Sequence, residues 1–192
     1  MPSNSNNQTP TSRPSSPTTA LPAHAFISLG SNLGDRAANL LLGVRGMMDA
    51  GLRVVRLSSI YETEPVDVFD QPAFLNMVAK LERTDSFSSE QLLARLLRVE
   101  HALGRRRDVP RGPRTIDLDL LIDGNEQRNT EFLMLPHPRL HLRRFVLVPL
   151  AELTPHLVHP TLHQTINELL ASTDDNSRVE RWTGQNRLRR EN

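Results

Sequence analysis

No cysteine occurs in the 192 residues. That removes disulfides, zinc–thiolate sites and thiol nucleophiles, and it fits a reducing compartment, so a cytoplasmic protein is expected. No apolar run approaches the ~20 residues a membrane span requires. Neither sign of charge is in excess, because 23 Lys and Arg against 22 Asp and Glu leave a net +1. No overall field therefore marks the chain as a partner for nucleic acid or a membrane surface. At 38% hydrophobic residues, the chain can still build one domain with a real core. Residues 1–22 lack apolar side chains to bury and are expected to be a disordered tail. They show no charged segment followed by an apolar one, so they do not read as a secretory signal, and a single arginine, Arg13, argues against a transit peptide. From Thr183 the text is polar again. A flexible tail is expected over 183–192, which leaves 23–182 as the folded domain.

What is present is periodic. Residues 23–30 read as a strand, and 30–35 as a turn leading into a helix in which Leu40, Leu41, Val44, Met47 and Met48 recur at helical spacing. Gly51 is a stop signal. A strand over 53–61, a proline-bearing loop over 62–72 and a strand over 74–81 follow. Ser88 and Gln91 form a capping box, and Leu92, Leu93, Leu96, Val99 and Leu103 make the buried stripe of the helix it starts. Gly104 ends that helix. A loop over 105–113 precedes a fourth strand over 115–122, then a short edge strand near 132–135. A helix over 143–153 must place Pro149 in its last turns or kink there, and a further short helix spans 164–171. The order strand–helix–strand–strand–helix–strand is the split βαβ pattern. It predicts an α+β, ferredoxin-like sandwich, an antiparallel sheet with helices packed on it.

The chemistry concentrates near Gly112-Pro113-Arg114-Thr115-Ile116-Asp117-Leu118-Asp119. On a strand, successive side chains point to opposite faces. Ile116, Leu118, Leu120 and Ile122 then share one face, and Asp117 and Asp119 sit together on the other. A lone Asp-x-Asp is usually a solvated pair. Here five arginines lie in the ten residues from 105 to 114, and carboxylates for Mg²⁺ beside arginines for phosphate oxygens suit phosphoryl transfer. The arginine run could alternatively be a solvated loop or an RNA-binding patch. Base stacking would call for aromatics, and none lies between His101 and Ile116. The loop from Thr63 to Asn76 is long for a hairpin, and long loops in compact domains tend to be functional. Asn76, inside a strand, offers donor and acceptor to a flat heterocycle with amide-like edges. His137 and Arg143, in a proline-rich corner, read better as phosphate or ribose contacts than as zinc ligands, and Phe145 offers a ring for stacking.

Four segments, in matching order and spacing, resemble the 6-hydroxymethyl-7,8-dihydropterin pyrophosphokinase family of folate biosynthesis. They are Leu29-Gly30-Ser31-Asn32-Leu33-Gly34; Asp70-Gln71-Pro72 with Phe74-Leu75-Asn76; Gly104-Arg105 leading to the Gly112–Asp119 stretch; and Pro136-His137-Pro138-Arg139-Leu140 with Phe145. The resemblance covers 23–182 and implies a ferredoxin-like fold. It implies that ATP is a co-substrate and that a pyrophosphoryl group passes to the pterin, leaving AMP. Asp117 and Asp119 resemble the ligands of two Mg²⁺ ions, and Arg105 and Arg114 the catalytic loop arginines. Arg107, His137 and Arg143 resemble further ATP contacts, with Glu100 close by. Thr63, Val66, Phe74, Asn76 and Phe145 resemble a pterin pocket. The implied partners are these small molecules, with no nucleic acid, no membrane and a monomeric chain. The sequence departs from the family pattern at Arg111, where many members carry Trp, at Leu97, which replaces a Gln, and at Phe132 and Met134, which replace polar residues.

Overall fold

The computed structural model describes residues 23–65, 71–84, 86–105 and 112–184. In chain order the elements are β1 (His24–Ser31), α1 (Arg36–Asp49), β2 (Arg53–Leu57), β3 (Tyr61–Thr63), β4 (Phe74–Glu82) and α2 (Ser89–Ala102). They continue with β5 (Asp117–Asp123), β6 (Arg128–Asn129), β7 (Met134–Leu135), a single 3-10 turn (Leu140–Leu142), α3 (Arg144–Leu153), α4 (Ile166–Ser172) and β8 (Val179–Arg181). The main sheet runs β5-β1-β4-β3-β8, with β2 also paired to β4. Every pairing is antiparallel. Strand β4 has nine residues, long enough to carry β2 at one end and β3 at the other. This is the ferredoxin-like order expected from the sequence.

Strand β1 lies inside the sheet, between β5 and β4, and helices cover both its faces. Its near-continuous burial follows from that position. On one face α1 and α2 pack Leu40, Val44, Met47, Leu92 and Leu96 against Ile27, Leu29, Ile116, Leu118 and Leu120. On the other, α3 and α4 pack Val146, Leu147, Leu150, Ile166 and Leu169 against Phe26, Val78, Leu121 and Ile122. Local chemistry starts and stops these helices where the pattern indicates. The Ser88–Gln91 capping box is complete, Asp35 caps α1 through the Ala38 amide, and Gly51 and Gly104 take positive φ just beyond α1 and α2. Pro149 sits inside α3 and is buried there.

Several expectations need correction. Residues 53–61 are not one strand. The chain leaves β2 at Ser58, whose hydroxyl accepts from the Val78 amide and whose own amide donates to the Val78 carbonyl, and it rejoins β4 as β3. Gly30, expected at the junction of strand and turn, lies within β1, and so does Ser31, expected in the turn. The short strand near 132–135 is not a sheet edge, because β7 pairs with β6 in a separate two-stranded ribbon. The edge strand β8 had no signal in its polar text. Ile122 does not share a face with Leu120. Phe26 pairs with Ile122 and Ile27 with Leu120, so Leu121 is an extra residue in β5, a bulge that turns Leu121 and Ile122 into the α3–α4 core. Asp123 is then buried, accepting from Ser89 Oγ and paired with Arg83 Nε, both at 2.7 Å. Of the expected tails, only Thr183 and Gly184 fall within the described residues.

Candidate active site

The site is built on one end of three neighbouring strands. Gly30 of β1 is in register with Asn76 of β4 on one side and Asp117 of β5 on the other. Adjacent strands lie ~4.8 Å apart, so the backbones of Asn76 and Asp117 are about 10 Å apart across β1. One strand separation thus sets two half-sites side by side on one sheet face.

The first half is acidic and cationic. Asp117 and Asp119 sit on the same face of β5, two residues apart, as the alternation predicts. Arg105 Nη1 lies 2.6 Å from Asp117 Oδ1, and Arg114 Nη1 lies 2.6 Å from Asp117 Oδ2. Arg105 also pairs with Glu100, a buried residue of α2 only 2% exposed. Glu100 Oε1 in turn accepts the Leu118 amide at 2.7 Å. Burial pushes the Glu100 carboxyl up to about 7, against the opposing pull of the Leu118 N–H and the Arg105 charge. Asp119 is pushed up to about 6, first by burial and then by the Asp117 charge beside it. It has no ion-pair partner among the described residues. Arg143, Arg105 and Arg114 pull in the other direction from a distance.

His137 reaches this half through the bulge in β5. Its backbone amide donates to the carbonyl of Leu121, the extra residue, at 2.8 Å. Its Nδ1 accepts from the Arg139 amide at 3.2 Å, which leaves Nε2–H as the donor of the neutral ring. Burial, then the charges of Arg143 and Arg139, push its pKa down to about 4. The Arg143 guanidinium lies 5.3 Å from the centroid of the Phe145 ring, at the start of α3. Phe145 also packs against the α3–α4 core.

The second half is neutral. Asn76 Nδ2 donates to Thr63 Oγ1 at 2.7 Å, and both residues are buried. Phe74 precedes Asn76 on the same face of β4, with its ring 5.6 Å below the Arg114 guanidinium. That stack is a physical link between the halves. Of the residues expected to form the site, Arg107 and Val66 lie outside the described residues, as does Arg111. Phe132 and Met134 are exposed on and beside the β6–β7 ribbon.

Sequence reasoning passed over Asn32. Its carboxamide accepts the Arg114 amide at 2.7 Å and donates to Gln71 Oε1 at 3.1 Å and to the Pro72 carbonyl at 3.3 Å. Its own amide donates to the Arg114 carbonyl at 3.1 Å. One buried side chain thus holds the ends of both loops that flank the site. The only signal was its place in Gly30-Ser31-Asn32, since its partners lie 39 to 82 residues away. Arg36 ties down the same region, donating to the Ala73 carbonyl at 2.7 Å and pairing with Glu62 at 2.9 Å.

The donor set fits a hard divalent cation. Asp117 and Asp119 offer only oxygen, and burial and the neighbouring Asp117 charge raise the Asp119 pKa, a repulsion that a bound cation would relieve. No group of three or more His, Asp or Glu side chains gathers among the described residues. Mg²⁺ typically takes one or two carboxylates and leaves its remaining positions to water and phosphate oxygens.

Fold and site together define a ferredoxin-like α+β domain in which a carboxylate pair with two arginines lies beside the buried Asn76–Thr63 pair and the Phe74 ring. Residues 26–155 match the model of the family described as 7,8-dihydro-6-hydroxymethylpterin-pyrophosphokinase. The 2-amino-4-hydroxy-6-hydroxymethyldihydropteridine pyrophosphokinase of Bacillus subtilis is 46% identical over 130 residues, 67% of this chain and 77% of that protein. The folic acid synthesis protein fol1 of Pneumocystis carinii is 44% identical over 135 residues, 70% of this chain, but the match spans only 18% of that longer protein. A solved HPPK-DHPS structure from Plasmodium falciparum aligns over 81% of this chain and 46% of its own, with a TM-score of 0.62 and 14% identity, a likeness of fold alone. The chain belongs to the 7,8-dihydro-6-hydroxymethylpterin-pyrophosphokinase family. Among the described residues no helix is long and apolar enough to cross a membrane.

Proposed function

We propose that the 23–182 domain transfers a pyrophosphoryl group from ATP to the hydroxymethyl oxygen of 6-hydroxymethyl-7,8-dihydropterin, releasing AMP, in folate biosynthesis. The observation that carries this is the register of Gly30, which sets the Asn76 pocket one strand to one side and the Asp117–Asp119 pair one strand to the other. Thr63, Asn76 and Phe74 hold the pterin, with Val66 and Phe145 completing the pocket. Asn76 supplies the paired donor and acceptor that an amide-like ring edge needs. Glu100, Arg107, His137 and Arg143 serve the nucleotide. The neutral His137 ring gives an N–H to a phosphate or ribose oxygen without adding charge.

Asp117 and Asp119 hold Mg²⁺, as two ions. The metal, when bound, neutralises phosphate charge and helps align the transferred group. Arg105 and Arg114 are catalytic: both sit on Asp117 in this structure, and both have guanidinium forks that match phosphate oxygens. Asn32 holds the polypeptide on either side of the reacting groups, so most of the rate enhancement comes from positioning and charge neutralisation rather than from covalent chemistry. The acceptor hydroxyl oxygen attacks the β-phosphorus of ATP and releases its proton to solvent, the bond from that phosphorus to the oxygen it shares with the α-phosphorus breaks, and AMP leaves with that oxygen. The domain acts as a cytoplasmic monomer on small molecules, with no nucleic acid or membrane partner. Purified protein given ATP, Mg²⁺ and the hydroxymethyl dihydropterin should release AMP, and should stop when either Mg²⁺ or the pterin is withheld. No AMP under the complete conditions defeats the reading.

A further inference from the structure

Gly30 occupies the middle of the site floor, and its backbone does not require glycine. It is an ordinary extended strand residue, paired on both edges, and it is not among the glycines of positive φ. Space requires it instead. A Cβ added at Gly30 would lie 2.8 Å from Asn76 Oδ1, and 3.9 Å from both Phe74 Cδ1 and Asp117 Cβ. A flexible surface side chain could swing away from such a contact. Asn76 cannot do so freely, because it is 4% exposed and its Nδ2 is committed to Thr63 Oγ1, itself on a buried residue. Moving the Asn76 carbonyl would break that hydrogen bond or drive the amide into the packed strand beneath.

We propose that Gly30 is a positioning and specificity residue for the acceptor ring. Its bare Cα lets the Asn76 carboxamide lie against β1 and leaves a flat floor between Phe74 and Asp117, on which a planar heterocycle with an amide-like edge rests. A side chain at position 30 closes the acceptor half of the site and leaves the nucleotide half intact. The inference rests on the acceptor pocket proposed above. It adds that strand β1 itself, and not only the flanking side chains, sets which ring is accepted and how near it comes to the carboxylate pair.

The test is a binding cycle on the full chain, using Gly30→Ala, Asn76→Ala and the double variant. Affinities for 6-hydroxymethyl-7,8-dihydropterin and for Mg²⁺-ATP are measured separately. Gly30→Ala should weaken pterin binding by about tenfold or more, the loss expected when a buried hydrogen bond is broken. Mg²⁺-ATP affinity should stay within about twofold. In the Asn76→Ala background the same substitution should change pterin affinity by less than about threefold, because the atom it collides with is gone. A smaller loss in the single variant, an equal loss of Mg²⁺-ATP affinity, or full additivity in the double variant overturns the proposal. If Gly30→Ala does not fold, the double variant decides: recovery of a cooperative melt supports the contact with Asn76, and failure to recover overturns it. A parent protein that neither binds the pterin nor releases AMP defeats the functional reading itself. An active parent with an unaffected Gly30→Ala variant defeats this inference alone.

Discussion

Replacing Glu100 by Gln tests the electrostatics of the half-site proposed for the nucleotide without changing its shape. Glutamine keeps an oxygen for the Leu118 amide, which Glu100 Oε1 now accepts at 2.7 Å, but loses the charge. In the folded chain the Glu100 carboxyl titrates near about 7, against an ordinary 4.5. A folded-state pKa above the unfolded value means that the native state holds the proton more tightly, so stability falls as pH rises from 4.5 through about 7. At ~1.4 kcal/mol per pH unit, that interval amounts to about 3 kcal/mol, all of it expressed above pH 7. The sign is opposite to that of a salt-bridged carboxylate, because burial outweighs the Arg105 charge. Urea unfolding in the absence of divalent cations, at pH 5 and at pH 8, reads it directly. Near pH 5 parent and Glu100→Gln should lie within about 1 kcal/mol of each other, since both native states then carry a neutral side chain. At pH 8 the variant should be more stable by about 2–3 kcal/mol. The same variant should bind ATP less well, because Arg105 loses one of its two anchors. A stability difference independent of pH, or one that favours the parent at pH 8, refutes the assignment of Glu100 as a carboxylate destabilised by burial.

Other outcomes follow from the same geometry. Asp119 titrates near about 6, and a metal ligand must lose its proton, so Mg²⁺ affinity should rise about tenfold between pH 5 and pH 7 and level off above; calorimetric titration with Mg²⁺ and a nucleotide analogue measures it, and a flat profile contradicts it. Asp117→Ala should abolish turnover while equilibrium pterin binding persists, and equal loss of both would contradict separate metal and pterin half-sites. Arg114→Ala should lower kcat by roughly 10²–10³, the usual effect of removing one preorganised charge donor, with a smaller change in the KM for pterin. Asn32→Ala should leave the fold intact but raise both KM values in steady-state assays, since its carboxamide holds Arg114 and Gln71-Pro72 together.

The parts of the fold legible in the sequence are those set by local chemistry. The Ser88–Gln91 box, the stripe of α2 and the shared face of Asp117 and Asp119 all follow from rules spanning three or four residues, and all are present. What the sequence hid was set by pairing across the sheet. The bulge at Leu121 breaks the two-residue period that placed Ile122 with Leu120, and only the register of β1 against β5 reveals it. That bulge also decides where His137 sits, through the Leu121 carbonyl. Asn32 looked like a turn residue because its partners are distant in sequence. Gly30 read as the junction of a strand and a turn, whereas its proposed role arises from Asn76, 46 positions later, with Oδ1 only 2.8 Å from where its Cβ would be. The residues proposed as catalytic were named through a family likeness, but their mutual contacts, such as the stacking of Arg114 on Phe74, were not legible.

The most direct test of the central claim is the fate of the phosphates. ATP labelled separately in its β- and γ-phosphates is incubated with the protein, Mg²⁺ and 6-hydroxymethyl-7,8-dihydropterin, and the products are separated. Both labels should appear together on the pterin, in a one-to-one ratio with AMP. Transfer of the γ-label alone with ADP as the other product, or labels released only as free pyrophosphate, would contradict it.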